Sequence, residues 1–152
     1  MEVARISHLH GFATKGAVSP DGGHLAIVSV DGGTVTRPVA ALQVIDLTSG
    51  QSTRIAEKVD EGQTPVWSGD GATIAFTRTA APDGPGPASV FTAPAGGGSE
   101  ATIVALPRVL GVYPVAFDPA GQLVSVVIDG RGSQAVLAAA EIASPRPALP
   151  RD

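Results

Sequence analysis

A turn-and-strand unit that recurs twice more constrains this chain above everything else. Residues 17–28 read Ala-Val-Ser-Pro-Asp-Gly-Gly-His-Leu-Ala-Ile-Val, and the pattern returns at residues 66–76 and 116–126. The equivalent glycines Gly22, Gly71 and Gly121 fall 49 and 50 residues apart, a near-constant period that marks a repeat architecture. Each unit carries the chemistry of a hairpin. Pro20 presets φ for a tight turn, Asp21 can bond its own backbone two residues on, and Gly22 supplies the φ > 0 that closes it. The second copy keeps Asp70-Gly71 but has Gly69 for the proline, and the third keeps Pro119 and Gly121 but has Ala120 for the aspartate. An aspartate that one copy dispenses with reads as turn chemistry, not as a catalytic acid.

After each turn comes a nearly continuous apolar run: Leu25 to Val28, Ile74 to Phe76, Leu123 to Ile128. Such strands are buried on both faces, and a radial stack of sheets provides that burial. The first full unit is expected as strands at 16–19, 24–30, 42–47 and 51–56, with a Thr48-Ser49-Gly50 turn before the last. The second is expected at 65–68, 73–78, 89–93 and 101–106, with Gly96-Gly97-Gly98 as the corresponding turn. The third is expected at 114–118, 122–128 and near 134–139, where the alanine-rich 135–143 stretch also admits a short helix. Residues 2–8 align at the same period with 51–57, Arg5 with Arg54 and Ile6 with Ile55, and read as an outermost strand. The expected boundaries are therefore 1–143 for three blades, with repeats at about 14–57, 63–107 and 112–142, followed by an extended, mobile proline-rich tail at 144–152.

Composition excludes more than it selects. Nineteen glycines and thirteen prolines among 152 residues mean frequent turns and short strands. The net charge of −4 disfavours nucleic acid and anionic membranes, which bind basic patches. With no cysteine there is no disulfide or thiolate metal site. No stretch reaches the length of a membrane span, and Met1 to Ala13 lacks the order of a signal peptide. The compartment is cytoplasmic unless a leader lies upstream. Gly-x-Ser-x-Gly, a phosphate loop and His-Glu-x-x-His are all missing, so the sequence offers no catalytic residue and calls for no cofactor. His8 and His10 share a strand face but have no clear third ligand, so no metal site is expected. His24 reads as a structural histidine at a strand start. The scattered Asp-Gly pairs read as turns, since calcium loops need converging oxygens. Trp67 and Phe117 read as inter-blade core, and Tyr113 as a side chain able to reach the axial mouth.

The proline, Ser-Pro-Asp-Gly, apolar run, and strand ending in Asp46-Leu47 before a Ser49-Gly50 turn together resemble the TolB-like β-propeller repeat, a relative of the WD repeat. The resemblance covers 17–55, 65–106 and 114 to about 140. It implies an all-β chain of three four-stranded antiparallel blades and a protein-interaction scaffold. Many members are periplasmic or secreted, and in some the propeller is attached to a peptidase domain. Propellers close with about four to eight blades, so three blades form a partial propeller. Two arrangements fit: a piece of a longer propeller, or half of a six-bladed homodimeric ring in which each N-terminal strand completes the other chain's last blade.

In a propeller the loops joining second to third strands and outer strands to the next innermost strand share one face. Here those are 31–39, 79–87 and 129–133, with 10–15, 57–63 and 108–113. They supply the candidate binding residues His10, Phe12, Asp60, Arg108, Tyr113 and Arg131, which would engage a protein or peptide partner. The alternative is the gating portion of a larger enzyme such as a serine peptidase, which would show as a reading frame continuing into a Gly-x-Ser-x-Gly segment.

Overall fold

The computed structural model describes residues 15–34, 37–78, 88–106, 111–129, 132–138 and 146–147. Among them every regular element is a strand. Sheet 1 comprises β1 (Lys15–Val18), β2 (His24–Thr34), β3 (Arg37–Asp46) and β4 (Ser52–Val59). Sheet 2 comprises β5 (Val66–Trp67), β6 (Thr73–Arg78), β7 (Ala88–Pro94) and β8 (Ala101–Leu106). Sheet 3 comprises β9 (Gly111–Phe117), β10 (Leu123–Asp129), β11 (Gly132–Ala138) and β12 (Arg146–Pro147). Each sheet takes four consecutive strands, paired antiparallel in sequence order. The innermost strands lie side by side, β5 between β1 and β9.

The repeated turn forms as its residues dictate, with the aspartate in a structural role. Ser19 Oγ donates to Asp21 Oδ1 at 2.5 Å, Gly23 N donates to the same oxygen at 2.9 Å, and His24 N donates to Ser19 Oγ at 2.9 Å. In the second sheet Ser68 Oγ donates to Asp70 Oδ1 at 2.6 Å, and Ala72 N and Thr73 N repeat the other two bonds. The serine hydroxyls, then the backbone N–H groups, hold both carboxyls below the usual carboxylate range. The third turn moves its carboxylate instead of losing it. Asp118 stands in the serine's place, and its Oδ1 accepts from Ala120 N at 2.9 Å and Gln122 N at 2.8 Å. Gly22, Gly71 and Gly121 have φ of 73°, 71° and 78°, the left-handed conformation expected of them.

An insertion and a deletion cancel within the third repeat. Gly16, Pro65 and Pro114 are each 49 apart, as are Leu25, Ile74 and Leu123, although the glycines are not. Pro114 pairs with Ser125 and Ala116 with Val124, leaving Val115 as an extra residue in a bulge. The turn that follows lacks a counterpart of Gly23 and Ala72, which restores the frame. The inward and outward faces of β10 therefore match those of β2 and β6, since a one-residue slip would have exchanged them.

That frame places the core. In β6, Ile74 and Phe76 pack toward sheet 1 with Ala26, Val28, Val30 and Leu42. Ala75 on the other face packs toward sheet 3 with Val90, Val112, Leu123 and Val127. A strand without polar alternation is what burial on both faces requires. Trp67 and Phe117, expected as inter-sheet core, are partly buried against the first and second of these clusters respectively.

The structure departs from the sequence reading in a loop and in the tail. Residues 31–34 and 37–39, expected as a loop, extend β2 and β3 as a long hairpin with Thr34 opposite Arg37. The strand expected near 134–139 forms as Gly132–Ala138, where pairing with β10 overrides the weak helical propensity of the alanine-rich stretch. Within the expected tail, Arg146–Pro147 pairs with β11 as the outermost strand of sheet 3. Proline suits such a position, the edge of the sheet among the described strands. The expected outer strand at 2–8 lies outside the described residues, as do residues 79–87 and the rest of the tail.

Candidate functional site: the axial groove

Where the innermost strands converge, the chain forms a groove of about 720 Å³. Its walls are Ala17 and Val18 of β1, Val66 and Trp67 of β5, and Tyr113, Pro114 and Val115 of β9. Pro20 lines it at one end, and the segment Gly62 to Pro65 between β4 and β5 completes it. Among the described residues that line it, none has a charged side chain. Val18 and Val115 are 57% and 52% exposed, the most exposed large hydrophobic side chains among the described residues, and both belong to this groove. Val115 is there because of the bulge, which presents a residue the regular strand would not.

Local bonds fix the groove's shape. Trp67 Nε1 donates to Ala17 O at 2.9 Å, joining β5 to β1 across the sheet boundary. Asp60 N donates to Thr77 O at 2.8 Å, and Asp60 Oδ1 accepts from Gly62 N at 2.9 Å. Asp60 thus holds the turn from which Gln63 reaches the groove. The phenol of Tyr113 lies over Gly111, two residues back on the same strand face, and a Cβ at Gly111 would collide with the ring. Tyr113 is partly exposed and presents its remaining surface to the groove.

Of the six candidate binding residues, the structure brings Tyr113 into the groove and assigns Asp60 to shaping it. His10, Phe12, Arg108 and Arg131 lie outside the described residues, as do His8 and its proposed pairing with His10. Val18, Gln63, Trp67 and Val115 were not among the candidates. Trp67 reads as core from its type, and the 50-residue glycine spacing that betrays an insertion does not say that Val115 is the bulged residue.

Other polar groups are occupied structurally. His24 stands 4.0 Å from both Asp21 Oδ1 and Asp46 Oδ2 and is half-exposed. Asp46 Oδ1 accepts from Ser49 N and Thr48 N at 2.8 Å each, and these bonds lower its carboxyl below the usual range. A second cleft of about 670 Å³, between the turns of sheets 2 and 3, includes Asp70 and Asp118, whose Oδ1 atoms serve those turns. Among the described residues no group of three His, Cys, Asp or Glu side chains converges to hold a metal ion. Nor is there among them a helix long and apolar enough to cross a membrane.

The architecture has solved counterparts. TolB from Acinetobacter baumannii matches 82% of this chain at TM-score 0.63 and 19% identity. A prolyl endopeptidase matches 89% at TM-score 0.65 and 18% identity. The β-propeller domain of the Trilobed protease from Pyrococcus furiosus, which has an open velcro topology, matches 76% at TM-score 0.57 and 16% identity. No family model matches the sequence, and no curated protein does. The chain is an all-β partial propeller, a stack of antiparallel blades around an axial groove. More particularly, its fold is TolB-like. The chain spans 29%, 21% and 36% of the three matched chains, about a third of their length or less.

Proposed function

We propose that the chain is a non-enzymatic propeller scaffold that binds a protein or peptide partner at the axial groove. The observation that carries this reading is the exposure of Val18 and Val115 in one uncharged concavity, beside Trp67 and Tyr113. Concave apolar surface with a few polar groups at its rim is the usual form of a binding site. Aromatic side chains there offer large contact area at small entropic cost.

The test is selection of displayed peptides against the purified chain. Enriched peptides are expected to lose at least about tenfold in affinity, roughly 1.4 kcal/mol, with Val18→Asp and with Val115→Asp. Both positions are exposed, so these variants keep the parent melting temperature. Failure to enrich any peptide, or enrichment indifferent to both changes, overturns the reading.

The second reading, the propeller portion of a larger enzyme, is favoured by one observation. Two of the three solved counterparts are proteases, and the chain spans only part of each. Under the first reading the purified chain leaves fluorogenic peptide substrates intact, and turnover would overturn it. A native reading frame continuing into Gly-x-Ser-x-Gly would favour the second.

A further inference from the structure

The groove's lining also bears on the conformation of its ligand, an inference that rests on the binding reading above. Two modes compete for an extended peptide: strand addition, in which main-chain bonds to a free edge hold the ligand, and docking of a polyproline II segment on flat apolar side chains. The edges of β5 and β9 are poor templates for strand addition, and on β1 the Ala17 carbonyl already accepts from Trp67 Nε1. Only Val66–Trp67 of β5 is strand, Pro65 immediately before it and Pro114 within β9 have no N–H to donate, and β9 is bulged at Val115. The same features suit the second mode. The partly exposed rings of Trp67 and Tyr113 and the exposed pyrrolidine ring of Pro20 give the groove rigid, flat apolar surfaces, while Pro65 and Pro114 are buried beneath it.

Charge and hydrogen bonding point the same way. The described lining residues carry no charge, so they would desolvate a ligand charge at a cost without pairing it. A polyproline II segment makes no internal hydrogen bonds, so its carbonyls are free to accept from donors such as the Gln63 amide and the Tyr113 hydroxyl. Its prolines bring no N–H groups that the groove would leave unpaired on burial.

We propose that the axial groove selects an uncharged, proline-rich segment of a partner protein in the polyproline II conformation. Trp67, the chain's single tryptophan, reports occupancy directly. A capped oligoproline peptide titrated into the full chain is expected to shift its fluorescence saturably, and a capped Gly-Ser peptide of equal length to bind at least about tenfold more weakly. Val115→Asp is expected to weaken oligoproline by about tenfold or more while the melting curve stays unchanged. If selected apolar peptides without proline bind through Val115 and oligoproline does not, the proline preference is overturned and the groove reading stands. If neither class of peptide binds, both fall. Equal affinity for oligoproline and the Gly-Ser control also overturns the preference.

Discussion

The boundary between sheets 1 and 2 and the boundary between sheets 2 and 3 use the same repeat positions and fill them differently. Phe76 of β6 and Ser125 of β10 are equivalent, 49 residues apart, and each faces the preceding sheet. At the first boundary Phe76 is buried among Val28, Val30 and Leu42, and its ring stacks on Phe91 at 5.8 Å. At the second, Ser125 is fully buried and its Oγ has no hydrogen-bond partner. Polar links differ too. Arg78 Nε donates to Glu57 O at 3.0 Å and Asp60 N to Thr77 O, tying sheet 2 to the end of β4. Across the second boundary, Thr77 Oγ1 donates to Val112 O at 3.4 Å, near the limit of a useful bond. A repeat therefore specifies where blades meet, while the residue at each position decides how strongly. Sheet 3 is expected to separate first under denaturant.

Truncating Phe76 breaks the comparison most severely. Phe76→Ala is expected to cost about 3–5 kcal/mol through lost transfer energy and a cavity. Val90→Ala at the second boundary removes less apolar volume and is expected to cost about 2 kcal/mol. Urea unfolding of both variants checks the order. Equal losses would mean that the two boundaries unfold as one unit with no weaker side.

Arg78 offers a smaller and more specific perturbation. Its guanidinium donates from Nη1 and Nη2 to the two oxygens of Glu100 at 2.5 and 2.7 Å, and lies 4.7 Å from the Phe91 ring centre. Arg78→Met keeps much of the apolar stem and removes the fork, so about 1–2 kcal/mol is expected to be lost. Both side chains are about a quarter exposed, which keeps the figure below that of a buried pair. Amide exchange at Asp60, whose N–H crosses the same boundary, should accelerate. An unchanged rate would show that the clamp is local to sheet 2.

Replacing Ser125 by alanine should act in the opposite direction. The substitution removes a hydroxyl that is buried without a partner while leaving the backbone and Cβ in place. A gain of about 1 kcal/mol is expected, with slower exchange in β9 and β10. A loss of stability instead would mean that the hydroxyl is bonded in solution.

How much of this was legible varies with the physics involved. The sheets were readable because Ser-Pro-Asp-Gly chemistry and apolar runs act locally, within one hairpin, and recur in register. The bulge at Val115 and the missing residue after Gly121 leave only the 50-residue step between Gly71 and Gly121 as their trace, which does not say which residue bulges until the pairing of β9 with β10 is known. Tyr113, expected just before an innermost strand and able to reach the axial mouth, lies within β9 and lines the groove. Val18 was not legible there, since an aliphatic residue in a strand reads as core until neighbouring sheets fix which edge stays open. The strand at Arg146–Pro147 escaped because two paired residues have no periodicity, and proline argues against a strand everywhere except at an edge.

Acid gives the gentlest way to sharpen the comparison, because it acts on the turns on either side of the first boundary. The Asp21 and Asp70 carboxyls are lowered below the ordinary value of 3.8 by bonds from Ser19 and Ser68 and from the backbone. A carboxyl whose folded value lies below its unfolded one contributes stability that is fully present above about pH 3.8. That contribution is lost as the pH falls from there through the lower folded values. The melting temperature should therefore decline below pH 3.8, and an Asp21→Asn, Asp70→Asn double variant should decline less steeply. Both carboxylates are exposed, so the effect is expected to be small beside that of Phe76→Ala. An acid limb as steep in the double variant as in the parent would place the acid-sensitive carboxyls elsewhere, with Asp46, held down by Ser49 N and Thr48 N, the next to replace.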